Sequence, residues 1–289
     1  MVWFNLGLKN SDKKTLAMDA KTGEVIYGAI ILTPEMQKEL KRQKIKKEIY
    51  SSQYKQYGNF YWLFYEVKKE LFNREIEGAT ISRLMYLATY IGYNDNMLCH
   101  KDNSPIEKGE LQNIVKLKDE TYRKFIKECE EKKLLWFNED NHIIISKEYF
   151  KKGKFLKNNY KNQKSIIRVY CKGVRSLYEG CNNSYQHKAL SYLFMLLPYV
   201  NKQYNIVCNN PREERKSRIN FLDMEDICNV IGYSNKNKHL LKKELKNLEI
   251  NGMVAFRWLE DKYGSRAIIN PSVYYAGDKY SEVYILGEF

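Results

Sequence analysis

Six cysteines (Cys99, Cys129, Cys171, Cys181, Cys208, Cys228) and four histidines (His100, His142, His187, His239) are the side chains that could hold a transition metal. Zinc sites gather such ligands at short spacings, because one tetrahedral ion needs several donors converging on it. Here the cysteines stand far apart with no C-x-x-C, and the histidines form neither an H-x-H pair nor an H-E-x-x-H helix. The cysteines are therefore expected as buried or half-buried free thiols, and no metal is expected. The G-x-x-x-x-G-K-[ST] and G-x-G-x-x-G loops that cradle phosphates, and the G-x-S-x-G elbow that presents a serine nucleophile, are also missing from the sequence. The expectation is a protein that is not an enzyme and takes no cofactor.

The remaining chemistry is charge. With 49 Lys+Arg against 35 Asp+Glu, the 289-residue chain carries a net +14 and a pI near 9.2, which calls for an anionic partner or reflects an AT-rich coding sequence that favours Lys. Only the location of the charge decides between these. Hydrophobic residues make up 44% and include 24 Tyr spread along the chain, enough for a large core and too many for a disordered protein. The longest apolar run, Ala189 to Val200, contains Pro198 and falls short of the roughly 20 residues that span a bilayer, so no membrane partner is expected. The opening MVWFNLGLKNSDKK lacks the pattern of a secretion signal, and the expected location is cytoplasmic.

The elements that must position this charge can be read in order. TLAMDA and EVIYGAII, separated by Lys21-Thr22-Gly23, predict a small hairpin. Thr33-Pro34-Glu35 predicts an N-cap, a first-turn proline and a first-turn acid opening a Lys-rich helix to about Tyr50. Phe60 to Phe72 is so aromatic that it is expected as a buried helix.

Comparing residues 79–154 with 187–279 reveals an internal repeat. Each copy opens with an apolar helix (Ile81 to Tyr93; His187 to Val200) and a short strand (Met97 to Cys99; Asn205 to Cys208). A second helix follows (Lys108 to Leu117; Met224 to Tyr233), then a third (Asp119 to Lys132; Asn235 to Glu249). Two strands close each copy: Leu134 to Asn138 with His142 to Ser146, and Met253 to Trp258 with Arg266 to Asn270. The closing segments Ile144 to Gly153 and Ile268 to Gly277 align without a gap, as I-I-[SN]-x-x-x-[FY]-x-x-G.

That order of elements is the order of a winged helix, whose third helix is offered to the DNA major groove. The third helices, the two closures and the H-K-A-L…L-P-Y-V…N-I-V-C-N-N-P run from His187 to Pro211 resemble those of plasmid and phage replication initiators of Gram-positive bacteria, over roughly residues 60 to 280. The resemblance implies an α+β, mainly helical fold: two tandem winged helices at 56–154 and 186–289, a basic helical linker at 155–185, and a hairpin-and-helix extension at 1–55. It also implies a partner, double-stranded DNA carrying origin repeats, with host replication machinery recruited to it. A winged-helix transcriptional regulator binding operator repeats, as a homodimer through the N-terminal extension, fits the same residues; a nuclease or primase fits them poorly.

At 100° per residue, Tyr122, Phe125, Ile126 and Cys129 form the core face of the first third helix and leave Glu120, Arg123, Lys124 and Lys127 outward, with Thr121 beside them. In the second, Leu241, Leu245 and Leu248 face the core and Asn235, Lys236, His239, Lys242, Lys243 and Lys246 face out, a stripe with no carboxylate. Lys and Arg neutralise phosphate and read guanine, and Asn reads adenine. Lys262 and Arg266 in the second wing are further DNA candidates, whereas the first wing, Asn138 to Asn141, is acidic. Lys147 to Arg168 holds seven Lys and one Arg against Glu148, and Lys151, Lys152, Lys154, Lys157 and Lys161 are expected to give sequence-independent phosphate contacts. His187 is expected to cap or pack its helix.

Overall fold

The computed structural model describes residues 17–18, 25–26, 34–64, 76–93, 95–153, 166–261 and 264–277, and forms two compact units, residues 1–55 and 56–289. In the first unit, β1 (Ala17–Met18) pairs antiparallel with β2 (Val25–Ile26), as the hairpin reading expects; Lys21, Thr22 and Gly23 lie outside the described residues. Helix α1 (Pro34–Tyr57) starts at the proline, whose fixed φ suits a first helical position, and runs into the start of the second unit.

The second unit opens with a correction. Residues 60–64 form a strand, β3 (Phe60–Phe64), where the sequence predicts a helix; residues 65–72 lie outside the described ones. Aromatic side chains suit a pleated strand, and from Phe60 to Leu63 half-buried and fully buried residues alternate, the period of two of a strand, before a buried Phe64.

The first copy then runs through α2 (Gly78–Leu87), a bridge segment at 97–99, α3 (Lys108–Ile114), α4 (Asp119–Glu131), the antiparallel pair β4 (Leu135–Phe137) and β5 (Ile143–Ile145), and β6 (Phe150–Lys151). After β7 (Ile166–Tyr170) and α5 (Cys171–Glu179), the second copy repeats the order: α6 (Ser184–Leu196), bridges at 206–208, α7 (Met224–Ile231) and α8 (Lys238–Lys246). An extra hairpin of β8 (Glu249–Ile250) and β9 (Met253–Val254) precedes its closing pair, β10 (Phe256–Asp261) and β11 (Gly264–Ile269).

Equivalent hydrogen bonds recur in the two copies. Asn96 and Asn205, both buried with left-handed φ of 65° and 53°, use the side-chain amide to hold the closing segment: Asn96 donates to the Ile145 and Phe150 carbonyls (3.3 and 2.6 Å), Asn205 to those of Ile269 and Tyr274 (3.0 and 2.6 Å). Asn adopts this backbone conformation more readily than most residues with a Cβ, and here its amide reaches carbonyls distant in the chain. Equivalent turns end α3 and α7, at Lys116 (φ 53°) and Gly232 (φ 69°).

The copies share one core. β3 lies between β6 and β7, so residues 166–170, expected within a linker, supply a strand of this sheet, and α5 continues directly from it. Alternating apolar residues explain this: Ile167 and Val169 are buried beside Leu63 and Tyr61. α2 packs on α6, with Leu84, Leu87, Leu190 and Leu193 fully buried in a single cluster that includes residues of both copies. All six cysteines are free thiols, four buried and two half-buried, as expected.

Candidate nucleic-acid interface

Helix α8 is positioned by the turn that precedes it. Asp223 caps α7, its carboxylate accepting from the Glu225 and Asp226 amides at 2.8 Å, and Gly232 ends that helix in the left-handed conformation that Gly adopts without strain. A single 3₁₀ turn, Asn235–Asn237, then leads into α8. Leu241 and Leu245, fully buried, and Leu248 seat its inner face in the core. Asn235, Lys236, His239, Lys243 and Lys246 are exposed, as expected, and Lys236, Lys243 and Lys246 enter no ion pair among the described residues.

Lys242 departs from the expectation. It is half-buried, its Nζ 2.7 Å from Glu260 Oε1 on β10 and 4.9 Å from the Trp258 ring, while Trp258 Nε1 donates to the same carboxylate at 2.6 Å. The Lys242 ammonium, and then the indole N–H, hold the Glu260 carboxyl below the usual range. Helical phasing gives an angle and does not reveal the strand lying alongside. Lys242 therefore ties α8 to β10. Lys238 bonds Glu225 on α7, and Glu244 accepts from Tyr185 at the start of α6, so the charged groups flanking the outer stripe are turned to neighbouring elements.

Helix α4 presents a different surface. Arg123, Lys124 and Lys127 are exposed as expected and Thr121 is half-buried, but Glu120, Glu130 and Glu131 are exposed with them. Lys124 lies 2.6 Å from Glu120 and Lys127 3.8 Å from Glu131, both at i,i+4 spacing, so two of the three cations are already partnered. Inside, Glu128 accepts from the Glu77 amide (2.7 Å) and the Thr80 hydroxyl (2.5 Å), joining α4 to the start of α2.

The closing strand pairs differ in length. The β10–β11 pair extends to Asp261 opposite Gly264, whose φ of 105° suits the end of a tight loop; Lys262 lies outside the described residues. Arg266 is half-buried on β11 with its guanidinium 5.8 Å over the Phe221 ring. The β4–β5 pair is three residues long and turns through exposed Glu139 and Asp140.

Of the linker lysines, Lys154, Lys157 and Lys161 lie outside the described residues. Lys151 sits in β6 opposite Trp62, and the Lys152 ammonium lies 4.8 Å over the Tyr93 ring; both are half-buried against the fold, where the sequence predicts lysines open to phosphate. His187 packs on the Tyr178 ring at 4.4 Å with its Nδ1 buried and without a hydrogen bond.

Two features escape sequence reasoning. Leu240, 41% exposed between His239 and the buried Leu241, adds an apolar side chain to the cationic stripe. Its only signal is a leucine one residue before the core position, which reads as core. The Trp258–Glu260–Lys242 cluster has none, because it joins a helix to a strand. Among the described residues no group of His, Cys, Asp and Glu could hold a metal ion, and no helix is long and apolar enough to cross a membrane. Comparison with protein-family models, curated proteins and solved structures gives no match.

Proposed function

We propose that the chain is a sequence-specific double-stranded DNA-binding protein made of two winged helices, with α8 as the principal reading helix. More particularly, it acts as a replication initiator that binds repeats in a plasmid or phage origin and brings host replication machinery to them.

The observation that carries this reading is the outer face of α8. From Asn235 to Asn247 it exposes Lys236, Lys243 and Lys246 with His239 and Leu240 and no carboxylate, so its cations are available to phosphates and base edges. Leucine at that position suits a thymine methyl. A chain enriched in Lys by codon usage alone would scatter carboxylates over this face, as α4 does. The element order of each copy supports the winged-helix reading, since it leaves the third helix on the surface between the second helix and the wing.

Retention on duplex DNA across a salt series tests the proposal. Removing a cation that neutralises one phosphate lowers the slope of log K against log salt by about 0.9. Lys236→Ala with Lys243→Ala should lower it by about 2 and weaken specific binding more than Arg123→Ala with Lys124→Ala, because Lys124 is already held by Glu120. Salt-independent retention, or greater damage from the α4 pair, overturns the assignment. Whether the gene with its neighbouring repeats sustains a replication-defective plasmid separates an initiator from a regulator.

A further inference from the structure

The two copies are related by an approximate twofold axis, and two independent sets of contacts define it. The first is the register of β3 and β7. Phe64 N donates to the Tyr149 carbonyl (3.1 Å) and Tyr170 N to that of Val273 (3.0 Å), so each strand holds the closing segment of its own copy at an equivalent place. Phe64 thus corresponds to Tyr170, and Phe60 to Ile166. In the antiparallel pair Phe60 faces Tyr170 and Phe64 faces Ile166, which exchange under that correspondence, while Trp62 faces its own counterpart Arg168. Equivalent strands paired antiparallel about a common centre are related by a local dyad.

The second set is the α2–α6 contact. Cys99 N donates to Tyr90 O (2.8 Å) and Cys208 N to Tyr199 O (2.7 Å), which places Gly78 opposite His187 and Ser82 opposite Ser191 in the correspondence. A Cβ on Gly78 would lie 2.6 Å from Ser191 Oγ, and Ser82 Oγ donates to the His187 carbonyl at 2.7 Å. Gly78 meets Ser191 and His187 meets Ser82. This reciprocity is the mark of an isologous interface, in which residue i touches j and the counterpart of j touches the counterpart of i.

The same axis exchanges α4 and α8. Leu117 N to Gln112 O and Tyr233 N to Cys228 O fix their correspondence, which sets Glu120 against Lys236, Arg123 against His239, Lys124 against Leu240, Lys127 against Lys243 and Glu130 against Lys246. Only one of these five pairs is the same residue.

Resting on the DNA-binding reading above, we infer that one chain takes a single duplex site whose two half-sites are inverted relative to each other and unequal in sequence, with the stronger half under α8. A duplex has its own dyads perpendicular to its axis. A protein that lays two dyad-related helices in successive major grooves of one duplex must align its axis with one of them, and the grooves are then read with opposite polarity. Tandem units joined by a free linker would accept a direct repeat equally well. Here the shared strand pair and the α2–α6 contact fix the relation. The site departs from a palindrome because the outward residues of the two helices differ.

A helix graft tests this. Glu120→Lys, Arg123→His, Lys124→Leu and Glu130→Lys give α4 the outward residues of α8 at positions that are all exposed. Selection from random duplex DNA with the unmodified chain supplies the strong half-site, and probes then carry two copies of it, inverted or direct, at each spacing. The grafted chain should prefer the best inverted probe over every direct probe by about tenfold or more, a single well-placed base contact in an unfavoured half being worth that much. Preference for a direct probe, or no preference, overturns the inference while the DNA reading stands. If neither chain binds any duplex, the DNA reading falls and the inference with it. The footprint of the unmodified chain is the second measurement: protection of the two strands symmetric about one centre supports the dyad, and protection repeating in the same direction on each strand overturns it.

Discussion

Replacing Asn205 by Ala should destabilise the second unit by about 3–4 kcal/mol. Its side-chain amide donates at 3.0 Å to the Ile269 carbonyl and at 2.6 Å to the Tyr274 carbonyl, and the residue is fully buried. Alanine removes both donors, and each buried acceptor left short costs about 1 kcal/mol or more. It also holds a φ of 53°, which adds about 1–2 kcal/mol for a residue with a Cβ and no local polar bond. Asn205→Gly loses the same bonds without the strain and should be less damaging than Ala by about 1 kcal/mol. Asn205→Asp sets carboxylate oxygen against two carbonyls in a buried position and should be the worst of the three. Urea unfolding followed by Trp fluorescence gives the order Asp, Ala, Gly. An Ala variant within about 1 kcal/mol of the unmodified chain, or a Gly variant less stable than Ala, would refute the reasoning.

Burial, and then the charge of Arg83, lowers the His187 pKa to about 4 from its ordinary 6.5. The folded state thus keeps the ring neutral where the unfolded chain takes up a proton: stability is full above about pH 6.5 and falls as the pH drops towards 4, by about 1–2 kcal/mol given the solvent the ring still meets. In His187→Gln, the loss of unfolding free energy between pH 7 and pH 4.5 should be smaller by about 1 kcal/mol or more; an unchanged pH dependence counts against the burial argument. Two glycines give opposite results on substitution. Gly173→Ala would set a Cβ 2.1 Å from the Ser272 carbonyl oxygen and should cost about 2 kcal/mol or more despite the better helix propensity of Ala, whereas Gly109→Ala meets nothing within 4 Å and should stabilise by about 0.5 kcal/mol. Thermal melts of both decide it, and a neutral Gly173→Ala would show that α5 can shift.

Much of the element order is legible because each helix of the repeat carries an apolar stripe of period 3.6, and because the closures Ile144 to Gly153 and Ile268 to Gly277 share their spacing. Phe60 to Phe64 misleads because an unbroken run of large apolar side chains has no readable period, and only the presence of β6 and β7 on either side makes the segment a strand. Both neighbours lie far along the chain, beyond any local pattern. The stripe on α8 is legible except at its edge: Lys242, next to the buried Leu241, borders the core face, and Glu260 and Trp258 take it up. On α4 the same helical phasing, carried past Lys127, sets Glu130 beside Arg123 and Glu131 beside Glu120, so these two carboxylates are legible in the sequence although only Glu120 is weighed there, and they weaken the claim of that helix on an anion.

Cohesion between the copies resides in the β3–β7 ladder and the α2–α6 contact, both non-covalent. The peptide between residue 153 and residue 166 also joins the copies covalently, raising the effective concentration of one half at the other. Cut within that stretch, the chain would be two polypeptides whose complementary surfaces are those of a heterodimer, able to find each other again by mass action and to return activity only together. The whole chain then has the form of two subunits in one polypeptide, whose outward helices α4 and α8 carry different residues.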